Sequence, residues 1–273
     1  MPGSHPAMAD PRGVWRRTFV READGSTDRS TTVTWVQGPS LFGDLRQPPG
    51  LAEAVGRARL MDLERPQLLA LCGQRAFAGT LEPEGDGFTW VRGIDLHPSA
   101  PLPDAGVLRW EGGVLVEEGL HEAYLEHWEP VERSSGGCQA AAAWLVDPEE
   151  GCSGLLVRVG SWFCYARDRS VPLPTTGVPL IEQVRGCERR AEAAALLDCE
   201  VSIGRVRADR WEITRSTLPH RVGSRLRPES THSGDGLRIR DLDPHGRALP
   251  RTWQLVRTEG PVPLLAAAPG APS

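Results

Sequence analysis

From position 13 onward the chain is built of short apolar runs that alternate with polar positions, each bounded by Gly, Pro, Asp or Ser. Residues 13–20 and 31–37 are rich in β-branched and aromatic side chains and read as consecutive strands around a turn at Gly25. Residues 41–46 read as a third strand, ended by Pro48, Pro49 and Gly50. Residues 51–72 depart from this pattern. Leu51, Val55, Ala58, Leu60 and Met61 fall near helical spacing, which predicts one or two short helices broken at Pro66. Strand-like runs resume at 77–82, 87–94, 106–110 and 114–117, with hairpin turns at 85–87 and 111–113, and Leu125, His127 and Val131 close this half.

Ser134, Ser135, Gly136 and Gly137 form a linker signal, after which the pattern restarts. Strands are expected at 140–146, 154–159 and 162–167, with further ones at 178–185, 196–207, 210–217 and 251–257. Many short strands at this spacing predict an all-β fold with a short helical insertion, arranged as two tandem β-barrel-like halves. The expected division is a loose N-terminus at 1–12, a barrel at 13–132, a linker at 133–137, a second barrel at 138–257 and a loose Pro/Ala-rich tail at 258–273.

Composition narrows the function classes. The net charge of -5 over 273 residues gives no broad basic footprint for nucleic acid or an anionic membrane surface, so neither is expected as a partner. All 31 basic residues are arginine, which excludes Schiff-base lysine chemistry, a lysine-anchored pyridoxal cofactor and a P-loop. No Gly-x-Gly-x-x-Gly fingerprint occurs, and no cofactor is expected. The six cysteines lack Cys-x-x-Cys spacing, so free buried thiols are expected and no metal site. The first twelve residues carry no apolar signal core, and no run approaches the ~18 apolar residues of a membrane span; a cytoplasmic protein is expected.

Several runs resemble the family of the fungal protein HRI1 and its bacterial relatives: Phe42-Gly43-Asp44-Leu45-Arg46, then Val116-Glu117-Glu118-Gly119 leading to Tyr124-Leu125-Glu126-His127-Trp128. The run from Gly154 to Gly160 resembles the opening of that family's second half. The resemblance implies two tandem lipocalin-like (calycin) barrels and no particular activity. Gly13-x-Trp15 is similar to the lipocalin opening, in which a Trp plugs one barrel end.

Period-two geometry suggests a candidate pocket in the first half. Trp35 and Gln37 share one strand face, Asp44 and Arg46 another, and Trp90 and Arg92 a third, with Asp95 just beyond. Turned inward, they would furnish a barrel with indole walls, two guanidinium clamps and two carboxylates suited to a small polar or anionic ligand. The alternative is that the Asp–Arg pairs are structural. An acidic run (Glu117, Glu118, Glu122, Glu126, Glu129) holds His121 and His127 but fails the zinc pattern, because residue 125 is Leu. In the second half a Glu200–Arg215 cross-strand pair is expected. Ser202, Glu200 and His220 could form a triad, but without the Gly-x-Ser-x-Gly elbow. The expected function is therefore a small-ligand binding module. The alternative is a cofactor-independent lyase, isomerase or cyclase using Asp, Glu and Arg; no catalytic residue can be assigned from the sequence.

Overall fold

The structure is a computed structural model that describes residues 10–133, 139–174, 177–208 and 210–267. The expected linker beyond Arg133, the first nine residues and the last six lie outside the described residues.

Nine antiparallel strands make the first sheet: β1 (Gly13–Arg21), β2 (Thr27–Asp28), β3 (Thr32–Gln37), β4 (Leu41–Gln47), β5 (Arg75–Glu84), β6 (Gly87–Asp95), β7 (Ala105–Glu111), β8 (Val114–Gly119) and β9 (Leu125–Arg133). They pair in chain order from β3 to β9. β1 lies beside β3 and also pairs with β9, closing an eight-strand barrel to which β2 is appended. The second sheet comprises β10 (Ala140–Val146), β11 (Ser153–Val159), β12 (Trp162–Arg167), β13 (Glu200–Arg207), β14 (Arg210–Ser216), β15 (Glu229–Ser230), β16 (Gly236–Leu242) and β17 (Ala248–Glu259). Its order, β14-β13-β12-β11-β10-β17-β16-β15, leaves it curled but open between β14 and β15. The segment after β14 folds back over that edge: the Ile213 N–H donates to the Ser224 carbonyl and the Leu226 N–H to the Trp211 carbonyl, both at 2.9 Å. The mostly-β class expected from the sequence is the observed one, as a closed barrel in the first half and a curled half-barrel in the second.

Four short helices interrupt the strands: α1 (Leu51–Val55), α2 (Arg65–Leu71), α3 (Leu180–Gly186) and α4 (Arg190–Leu197). Pro66 opens α2 rather than breaking a helix, because a first-turn residue has no intrahelical N–H bond to lose. Two expected strands need correction. In place of a strand over 178–185, the chain forms α3 from Leu180: Leu180 and Val184, both 0% exposed, sit four apart and fit a helix as well as a strand. The run from 196 begins in the Ala-rich α4 and turns to strand only at Glu200. β16, where Leu237 and Ile239 are buried between exposed Arg238 and Arg240, has no counterpart among the expected strands.

Three cores result. Trp15, Trp35, Trp90 and Trp128 with Phe42 and Phe77 fill the first barrel, so it is packed rather than hollow. Phe163, Tyr165, Trp211 and Trp253 do the same in the second. A third core lies between the sheets, where Val36, Leu45 and Ala78 meet Val157, Cys164 and Ile203, with the four helices wrapped around it. This is why β3 and β4 are buried on both faces and lose simple alternation. Gly43 marks the closest approach: a Cβ there would stand 2.3 Å from Cys164 Sγ. Arg215 crosses the same seam from β14, donating to Thr34 Oγ1 at 2.9 Å, Gln47 Oε1 at 3.0 Å and the Thr32 carbonyl at 2.7 Å. The expected Glu200–Arg215 pair is therefore not formed. A register shift between Ile203 and Gly204 accompanies an arrangement in which Arg215 sits opposite Ile203.

Of the tail expected to be loose, the described part packs: Leu265 is fully buried, and the Ala267 N–H donates to the Pro228 carbonyl at 2.7 Å. The five described cysteines are free. No described helix is long and apolar enough to cross a membrane.

Candidate functional site

One end of the first barrel carries a charged network above the aromatic core. Asp44 and Arg46, two apart on β4, are joined by Arg46 Nε to Asp44 Oδ1 at 2.9 Å. Arg46 Nη1 also reaches Glu126 Oε1 on β9 at 3.0 Å, and Arg17 Nη1 from β1 meets the same oxygen at 2.5 Å. Arg92 bridges Asp95 at 3.0 Å and Asp104 at 2.6 Å and lies 3.6 Å above the Phe77 ring, with Arg46 at 5.3 Å from it. Burial pushes the Asp44 and Asp95 carboxyls up, and the neighbouring arginines oppose it. Trp35 and Gln37 are buried below: indole Nε1 donates to Gln37 Oε1 at 3.1 Å, and the Trp90 ring meets Trp35 edge-on at 5.8 Å. The structure thus brings Asp44 and Arg46 into one ion network and sets Arg92 and Asp95 at its outer side. Trp35, Gln37 and Trp90 are placed in the packed interior.

A cleft of about 270 Å³ opens at this end, walled by Arg92, Asp95, His97, Asp104 and Tyr124. Arg92 keeps 30% of its side chain exposed there. Burial pulls His97 down, and its Nε2 lies 2.7 Å from the Gln74 carbonyl. Tyr124 ties the cleft to the interior: its hydroxyl donates to Glu117 Oε1 at 2.7 Å. Its ring lies against Gly119, where a Cβ would stand 2.5 Å from Tyr124 Cε1.

Glu117 is the group that the sequence did not single out. It is 4% exposed and stands directly opposite Glu126 across β8 and β9. Like charges in that position repel. Glu126 is held by two arginines, whereas Glu117, among the described residues, accepts only from Tyr124 and, at 3.0 Å, from Trp128 Nε1. Burial, then Glu126 and Asp104, push its carboxyl well above the usual carboxylate range. The signal was present in the acidic run: Glu117 shares a strand face with Leu115, and Glu126 with Trp128, while Glu118, Glu122 and Glu129 point elsewhere.

The second barrel holds its own network. Asp241 lies 3.2 Å from Arg167 Nε, 3.3 Å from Arg251 Nε and 3.4 Å from Arg221 Nη2. Burial pushes its carboxyl up, but the three guanidinium groups together bring it below the ordinary value. Glu200 accepts from Arg221 Nε at 2.7 Å and from Ser202 Oγ at 2.6 Å. His220 bonds neither: both ring nitrogens lack a hydrogen-bond partner among the described residues, and burial pushes it down to about 4. Ser202, Glu200 and His220 therefore do not form a relay. Asp147, Glu150 and Cys152 bring ligand atoms within 4.8 Å of one another, but Arg251 Nη1 occupies the place of a cation, 3.0 Å from Glu150 and 3.8 Å from Cys152 Sγ.

By this geometry the class is that of a two-sheet β protein whose first sheet is a closed, packed barrel with a polar cleft at one end. No protein-family model matches the chain, and no curated protein matches it. Among solved structures, the uncharacterised protein YLR301w from Saccharomyces cerevisiae is similar, with a TM-score of 0.50 over 90% of this chain and 98% of its own, at 11% identity. That is a likeness of fold alone.

Proposed function

We propose that the protein is a non-catalytic binding module that holds a small polar molecule in the cleft at the end of the first barrel. The observation that carries this is the convergence of Arg92, Asp95, Asp104 and Tyr124 on one cleft of about 270 Å³. Arg92 is already bridged by two carboxylates, and the network around it contains more carboxylates than arginines. A neutral or cationic polar ligand therefore suits the cleft better than an anion. Arg92 and Asp95 make the contacts in this proposal, while Asp44, Arg46, Trp35, Gln37 and Trp90 support the wall from within. Membership of the HRI1-type family of lipocalin-like barrels belongs to the same proposal. Its supports are the motif residues, which fall on β4, β8, β9 and β11, and the fold shared with a yeast protein. A cytoplasmic setting, where the free thiols stay reduced, completes it.

Native mass spectrometry of the purified protein tests the reading. A co-purifying small molecule is expected on the wild type and absent from Ala100→Trp, which fills the cleft from an exposed wall position outside the ion network. Retention by that variant would place the ligand elsewhere. A cofactor-independent lyase, isomerase or cyclase is favoured by one observation, the raised carboxyl of Glu117 linked to the cleft through Tyr124. Glu117→Gln separates the two: a binder carries the same molecule in both proteins, whereas an enzyme carries product in one and substrate in the other, told apart by adduct mass or, for an isomeric pair, by chromatography of the released molecule.

A further inference from the structure

We infer that a second cleft, on the segment joining β14 to β15 and on β16, is a binding site for a small phosphate-bearing molecule. It measures about 330 Å³ and is lined by Arg221, Ser224, Arg225, Arg227, Arg240 and Leu242. Four guanidinium side chains and, among the described residues, no carboxylate line it. Some surface arginines are neutralised by neighbours, as Arg16 by Glu129, Arg109 by Glu111 and Glu118, Arg185 by Glu182 and Arg247 by Asp243. Others, Arg21, Arg75 and Arg238 among them, have no ion-pair partner among the described residues; what sets this cleft apart is that its arginines converge. Arg225 and Arg240 are exposed and have no ion-pair partner among the described residues.

Three further features distinguish this cleft from a chance cluster on the surface. First, Arg221 is 1% exposed and fixed by Glu200 at 2.7 Å; its Nη2 faces Asp241 at 3.4 Å but has no hydrogen-bond acceptor among the described residues. Buried donors are nearly always satisfied, so one left over beside a cleft is a mark of ligand or ion chemistry. Second, Arg227 holds a left-handed backbone with φ 47°, a conformation that a residue with a long side chain keeps only where its surroundings impose it. Third, the segment is a scaffold and not a loose loop: Ser224 Oγ donates to the Arg221 carbonyl at 2.7 Å, and residues 223–226 are bonded to β14. Planar guanidinium groups match phosphate oxygens in bidentate pairs. The volume falls near the lower end of ligand pockets, about 300–1,000 Å³, which suits a phosphate monoester or pyrophosphate rather than a length of polymer.

The test is isothermal titration of the full chain with inorganic pyrophosphate at physiological ionic strength. One-to-one binding is expected, weakened at least about tenfold in the Arg225→Gln/Arg240→Gln double variant. Both side chains are exposed, so the variant's thermal unfolding should match the wild type, which separates lost binding from lost fold. Absence of pyrophosphate binding, or unchanged binding in the double variant, overturns the proposal. So does tighter binding of a single-stranded oligonucleotide or of phosphatidylserine vesicles, because the arginines would then serve a polymer or a membrane surface. None of these outcomes depends on the cleft in the first barrel.

Discussion

The two barrels solve the same problem, buried charge inside a β-sheet, in different ways. In the second, each interior carboxylate sits on a guanidinium: Glu200 on Arg221, Asp198 on Arg167, Asp147 on Arg251, and Asp241 among all three. In the first, Asp44, Glu126 and Asp95 are paired in the same manner, but among the described residues Glu117 is hydrogen-bonded only by a phenol and an indole. At the two extreme carboxyls the consequence is a shift of opposite sign. Three arginines draw the Asp241 carboxyl below its ordinary value, while burial and a facing glutamate drive Glu117 above it. Pairing opposes burial without always winning: burial raises the Glu200 and Asp198 carboxyls of the second sheet against the pull of Arg221 and Arg167. An interior with one carboxyl left to neutral partners has a group whose charge state is set by pH, and that group is linked to a cleft.

The comparison breaks first at Asp241. Asp241→Asn keeps the shape but leaves three buried guanidinium groups short of a counter-charge, and an amide N–H₂ would face a donor. Removal of one partner from a buried ion network destabilises by about 3–5 kcal/mol. Urea unfolding should show a loss of that order. A loss below about 1 kcal/mol would mean that water, and not Asp241, screens the three arginines.

How much of this could be read from the chain follows from the geometry of strands. The i, i+2 pair Asp44 and Arg46 and the nearby Arg92 and Asp95 were visible because they lie within one strand or its end. The ions that complete the network are Glu126, Arg17 and Asp104, and they arrive from strands or loops far along the chain. Register, which pattern alone does not fix, decides whether they meet. Arg215 is the clearest instance: it sits opposite Ile203, beside a register shift, and bonds to the other barrel instead of Glu200. The strand expected at 178–185 is a helix because Val178, Leu180, Ile181 and Val184 satisfy both periods over so short a run. The third core was illegible for a related reason. Strands buried on both faces look like uniform apolar runs, and nothing in them says what covers the second face.

The seam between the barrels offers a sharper, smaller test. A Cβ on Gly43 would stand 2.3 Å from Cys164 Sγ, so Gly43→Ala must push the sheets apart and should destabilise by about 1–3 kcal/mol. Cys164→Gly, itself a loss of packing, should recover part of that in combination. A double-mutant cycle is the measurement, and an additive pair would show that the sheets do not bear on each other there.

The last effect is the one that distinguishes Glu117 from Asp241 by sign. Glu117→Gln keeps both contacts if the amide is oriented with its oxygen toward Trp128 Nε1 and its N–H₂ toward the Tyr124 hydroxyl. It removes the ionisation that burial and Glu126 oppose. In the wild type the folded carboxyl binds its proton more tightly than the unfolded one. Stability therefore falls as pH rises from the ordinary glutamate value up through the raised one, and levels off beyond it. The variant lacks that decline. It should match the wild type in mild acid and exceed it at neutral pH, by about 1.4 kcal/mol for each tenfold difference in proton affinity between the folded and unfolded chain. Urea midpoints taken across that range read the difference directly. Asp241 carries the opposite slope: its lowered carboxyl contributes stability above the ordinary aspartate value that is lost as pH falls toward the folded one. A variant gap that stays constant with pH, or that widens toward acid, would mean that Glu117 is charged in the folded barrel, and that the two interiors are governed by the same pairing after all.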